Sequence, residues 1–127
     1  MQVKSKIILV DDSDQKRATY SDKFKSEGFE VFEAVDGKKG LELIKEKKPD
    51  LIFTGIDMPE MDGFTMIREL KKDPELAKIP IMISSHLNRE KDQLTAKGLG
   101  VQEFIYYGFV TVNEVVKKAR NLLGERK

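Results

Sequence analysis

The sequence predicts an α/β domain in which five parallel strands form a doubly wound sheet covered by five helices. Three observations lead there. The continuous apolar runs from Lys6 to Val10 and from Leu51 to Phe53 read as strands buried on both faces. Strand-like segments alternate with stretches of helical periodicity, which is the βα repetition of a parallel sheet. Both apolar runs also end in polar loops, Asp11-Asp12 and the acidic, glycine-closed TGIDMPEMDG of Thr54 to Gly63, as expected where strand carboxyl ends face a binding crevice.

The elements follow in order. Strands are predicted at about 7 to 10, 29 to 34, 51 to 54, 80 to 84 and 103 to 107. The first helix starts after Asp12 or Ser13 as its cap, places Tyr20 and Phe24 one turn apart, and is closed by Gly28. Leu41 and Ile44 give the second helix its inner face. Met66, Ile67 and Leu70 do so for the third, which Asp73-Pro74 ends because proline disfavours helical geometry in the residue before it. Asn88 to Leu99 is mostly charged or polar and carries Gly98 where a last turn would form, so a short or mobile fourth helix is expected. The fifth is the best marked. Thr111 and Glu114 have capping-box spacing, Val112, Val115, Val116, Ala119, Leu122 and Leu123 trace one apolar face, and Gly124 stops it, with Gly124 to Lys127 expected to fray.

With 127 residues the chain is sized for a single domain spanning 1–127. A content of 39% apolar and 35% charged residues describes a water-soluble domain, and the net charge of +1 gives no footprint for nucleic acid or an anionic membrane. The chain has no cysteine, which excludes disulfides and thiolate ligands and agrees with a reducing cytoplasm. Its apolar runs are too short to span a bilayer, and Met1 to Lys6 lacks the apolar core of a secretory signal.

Taken together, Asp11-Asp12 after the first strand, PDLI followed by MPEMDG, the Ile79-Pro80 strand ending in Ser84-Ser85, and a last strand before the final helix resemble the receiver domain of two-component response regulators. The resemblance covers nearly the whole chain. It implies the flavodoxin-like, CheY-like (βα)5 fold and a site that takes a phosphoryl group from a histidine kinase, with Mg²⁺ and a lysine screening its charge. It would put the phosphoacceptor aspartate at position 55 and the lysine at position 107, where this chain has Gly55 and Tyr107. Glycine has no nucleophile and a phenol is no permanent cation.

The same resemblance places a switch hydroxyl at Ser85 and a rotating aromatic at Phe104. It gives Gly108 where the family has a proline, and position 57 where the backbone carbonyl is a metal ligand. Asp11, Asp12 and Asp57 are therefore the candidate metal residues. With one strand-end carboxylate missing they make a weakened, vestigial Mg²⁺ or Ca²⁺ site, and no cofactor is required. Asp11-Asp12 reads equally as a cap for the first helix, Asp57 as a solvated turn residue, and Ser85 as a hydroxyl bonded to nearby backbone. His86, the single histidine, is expected to cover the pocket mouth.

Other classes fit less well. The first βα turn, VDDSDQ, has no glycine and would repel the phosphate of a nucleotide or flavin. The serines lack a G-x-S-x-G setting, and no independent enzyme is expected. The reading is an atypical receiver acting as a phosphorylation-independent interaction module, a cytoplasmic monomer or weak dimer whose partner is a histidine kinase, a motility or chemotaxis component, or another receiver. Tyr106, Tyr107 and Leu94 are its expected contact residues. The alternative is a conventional Mg²⁺-dependent phosphoacceptor, with Asp57 as a displaced acceptor or Gly55 standing for a native aspartate.

Overall fold

The computed structural model describes residues 3–124; of the tail expected to fray, only Gly124 falls among them. Five strands, β1 (Lys6–Val10), β2 (Glu30–Ala34), β3 (Leu51–Thr54), β4 (Ile81–Ser85) and β5 (Glu103–Tyr106), pair in parallel in the order β2-β1-β3-β4-β5. Five helices intervene: α1 (Asp14–Ser26), α2 (Gly37–Lys47), α3 (Gly63–Lys71), α4 (Glu90–Gly98) and α5 (Val112–Leu122). A 3-10 turn at Leu76–Lys78, not anticipated from the sequence, connects α3 to β4. The doubly wound five-stranded sheet is thus the fold the sequence predicts.

Alternation along the strands sorts the core into two layers. Ile7, Leu9, Leu51, Phe53, Met82 and Ile105 point to one side and pack with Tyr20 and Phe24 of α1 and Val115, Val116 and Ala119 of α5. Ile8, Val10, Ile52, Ile81 and Ile83 point to the other and meet Leu41 and Ile44 of α2, Met66, Ile67 and Leu70 of α3, and Ala96 of α4. β1, β3 and β4 are covered on both faces, so their sequences show apolar runs with no polar alternation.

Helix starts follow the capping chemistry. Ser13, Asp36 and Asp62 cap α1, α2 and α3 by accepting from the amides of Lys16, Lys39 and Thr65, and Thr111 with Glu114 forms the full capping box of α5. α4 differs. Arg89 stands at its cap with no side-chain cap bond, and within the helix only Asp92 and Ala96 are buried. It is nine residues long, and Gly98 is its last residue.

Candidate functional site

β1 continues to β2 on one side and β3 to β4 on the other, so the sheet changes direction between β1 and β3. Ligand crevices of open α/β sheets form at the carboxyl ends of such strands. Here a cavity of about 60 Å³ opens beyond β1, β3 and β4. Asp11 is held at its edge by its amide, which donates to Ala34 O at 3.1 Å, and Gly55 by its amide, which donates to Val10 O at 2.8 Å. Gly63 has to be glycine, because a Cβ there would run into the Gly55 carbonyl. The loop from β3 to α3 therefore closes tightly over the cavity floor.

At the centre is a residue that motif reading passed over. The Lys16 ammonium lies 3.0 Å from Asp11 Oδ2, and both side chains are about nine-tenths buried. It also donates to Ser84 O at 3.2 Å and stands 5.0 Å from the centre of the Tyr107 ring. Tyr20 completes the cluster, with its hydroxyl 3.3 Å from Ser84 Oγ and its ring edge-on to Tyr107 at 6.0 Å. Burial pushes the Tyr20 phenol above its ordinary pKa, while the Ser84 hydrogen bond opposes that shift. Asp11 turns into the space that a side chain at position 55 would need: a Cβ on Gly55 would lie 2.9 Å from Asp11 Oδ2. The second Asp11 oxygen accepts from the Ser13 amide at 2.9 Å, and Arg17 donates to Asp11 O at 2.8 Å.

A signal for Lys16 was present. Lys16, Tyr20 and Phe24 recur every fourth residue, so a lysine falls on the buried stripe of α1.

The other candidates separate. Asp12 is exposed at the cavity mouth, as is His86. Asp57 also borders the cavity, but Oδ2 of its carboxylate takes Arg89 at 3.2 Å. Arg89 in turn donates to Oδ2 of the buried Asp92 at 2.6 Å, and this bond holds the guanidinium above its ordinary pKa. Ser85 points at its own loop: its hydroxyl donates to Leu87 O and accepts from the Leu87 amide, both at 3.0 Å. Phe104 is half-buried against the α2, α3 and α4 layer. Leu94 is 63% exposed on α4.

Tyr106 and Tyr107, expected together on the contact surface, point to opposite layers. Tyr107, half-buried, packs with the α1 and α5 layer, its ring against Lys16 and Tyr20, as strand alternation requires. Tyr106 instead stacks on Phe109, with ring centres 4.3 Å apart and planes within 8°. A turn closed by Phe109 N donating to Tyr106 O makes this possible, and it passes through Gly108 at φ +91, a conformation that favours glycine.

The resemblance raises the question of Mg²⁺, and the donors do not fit it. One Asp11 oxygen is taken by the Lys16 ammonium and the other by the Ser13 amide, Gly55 offers no carboxylate, and the Asp57 carboxylate is paired with Arg89, which leaves its backbone carbonyl and the exposed Asp12. Among the described residues no group of three or more acidic, histidine or cysteine side chains is placed to hold a metal.

Residues 7–119 match the response regulator receiver domain. The chain belongs to that family. This receiver domain is 36% identical over 114 residues to a gliding motility regulatory protein of Myxococcus xanthus, covering 90% of the chain and 14% of that protein. It is 31% identical over 101 residues to protein PilH of Pseudomonas aeruginosa, covering 80% of the chain and 84% of PilH. In three dimensions it superposes on the chemotaxis protein CheY4 of Vibrio cholerae with a TM-score of 0.87 at 22% identity, over 94% of this chain and 99% of that one. No helix among the described residues of the receiver is long and apolar enough to cross a membrane.

Proposed function

We propose that this receiver works in two-component signalling as a protein interaction module that does not depend on phosphorylation. The observation that carries the reading is the occupancy of position 55: glycine supplies no acceptor, and the Asp11 carboxylate, paired with Lys16, takes the space an acceptor would use. Tyr107 at the lysine position agrees with it, because a phenol half-buried under Lys16 does not reach out to screen a phosphoryl group.

What remains for a receiver without phosphoryl chemistry is contact. Leu94 on α4 and, after β5, Phe109 (76% exposed) with the Tyr106 ring stacked on it present apolar groups to solvent. Aromatic anchors of this kind dominate protein interfaces. The partner class is a signalling protein: a histidine kinase, another receiver or, given the Myxococcus relative, a motility component. The chain spans 14% of that relative, so the pathway is part of this proposal.

The test is incubation with excess acetyl phosphate or phosphoramidate and Mg²⁺, read by intact mass. No phosphoryl adduct is expected. An adduct that disappears in Asp57→Asn would overturn the reading and make Asp57 a displaced acceptor.

A further inference from the structure

We infer that the Lys16 ammonium is the resident cation of this pocket, standing where a receiver would use a divalent ion, so that the site is closed to Mg²⁺ by a part of its own chain. This rests on the receiver reading but not on phosphorylation independence. Three observations support it.

The first is charge. The buried acidic group of the pocket, Asp11, is matched at 3.0 Å by a cation that is itself 8% exposed. A buried carboxylate needs such a partner, and here the helix supplies it. The second is saturation of donors. Lys16 reaches Asp11 Oδ2 and Ser84 O and lies against the Tyr107 ring, so it bridges the ends of β1 and β4 and abuts the end of β5. An ion bound at Asp11 would have to expel the ammonium and leave a lysine in a cavity of about 60 Å³. The third is the remaining acidic ligand. Asp57, which borders the mouth, has the Arg89 guanidinium 3.2 Å from its Oδ2. Asp12 would be left as an exposed carboxylate beside the Asp57 backbone carbonyl, a poorer donor set than the one or two carboxylates plus phosphate oxygens that usually hold Mg²⁺.

The pocket is thus a finished electrostatic unit. The pairing that elsewhere would come and go with an ion is built in, and the ends of β1 and β4 are joined by a side chain that cannot diffuse away.

Amide NMR spectra of the chain, titrated with MgCl₂ and with MnCl₂ as a paramagnetic probe, test this on the protein itself. The native chain is expected to show no saturable shift and no selective broadening at the amides of Asp11 to Ser13, Gly55 to Asp57 and Ser84 to His86. In Lys16→Met, Asp11 is freed and the same amides should shift saturably with MgCl₂ and broaden selectively with MnCl₂. Should Lys16→Met lose its dispersed spectrum, Lys16→Gln, which keeps a donor and removes the charge, carries the comparison. A saturable response in the native chain that is unchanged or weaker in the variant would overturn the inference. Silence in both proteins would overturn it too, because the ammonium would then not be what keeps the ion out. Neither result touches phosphorylation independence, which is read by mass and rests on Gly55.

Discussion

Lys16 shows how one side chain can redefine a site while leaving its motif recognisable. Asp11-Asp12, MPEMDG and Ser84-Ser85 stand where a receiver puts them, yet the partner of the buried Asp11 carboxylate is a residue outside all three. Removing one partner of a buried pair leaves the other desolvated and uncompensated, which typically costs about 3 to 5 kcal/mol. Lys16→Met is therefore expected to lower unfolding free energy by about 3 kcal/mol, and Asp11→Asn in the same background should restore part of that loss. Urea denaturation of the two single variants and the double variant checks this. Additive losses would show that the two charges do not act as a pair. That Gly55 and Tyr107 stand at the acceptor and lysine positions of the resembled pattern was legible from sequence, because motif positions are fixed by spacing. The pairing of Lys16 with Asp11 was not, because it depends on how far a four-carbon side chain reaches from the next helix.

At the scale of elements, caps decide how firmly each helix is anchored. In α5, the Glu114 carboxylate accepts from the Thr111 amide at 3.0 Å while Thr111 Oγ1 accepts from the Glu114 amide at 3.1 Å. The backbone hydrogen bond from Thr111 is the main reason the Glu114 pKa falls below the ordinary carboxyl value, with the Thr111 side chain second. A depressed carboxyl pKa contributes stability that is complete above the unfolded value, about 4.3, and is lost as pH falls through the folded one. The difference in melting temperature between the native chain and Glu114→Gln should therefore shrink as pH is lowered below about 4.3. A difference that stays constant down to strong acid would remove the capping carboxylate as its cause. This cap was readable as a four-residue pattern. The opposite case is α4: polar composition marked it as poorly anchored, but Asp92 buried beneath Arg89 could not be read from composition, since an i, i+3 charge pair is normally a solvated one.

For the whole molecule, the order β2-β1-β3-β4-β5 puts three strands under helices on both faces and leaves β2 and β5 at the edges. Strand runs, helix faces and caps all pointed to this arrangement, and such agreement between levels is why the fold was legible almost to the residue. Opening free energies should follow the same layering. Amides of β1 and β3 are expected to exchange only through global unfolding, and those of α4, with two buried side chains and no cap bond, through a local opening at lower free energy. Native-state hydrogen exchange across a denaturant series tests this, and α4 amides that merge with the β3 isotherm would contradict it.

The carboxylate of Asp11 lying within 2.9 Å of where a Gly55 Cβ would be has a consequence for any substitution at position 55. An acidic residue introduced at position 55 would meet an occupied seat, and its arrival would force Asp11 to swing away from Lys16 or the backbone to shift. An aspartate at position 55 is then expected to sit beside a mispaired lysine unless position 16 changes as well. Positions 11, 16 and 55 form one coupled set, in which a change at 55 is felt first as the re-aiming of a carboxylate.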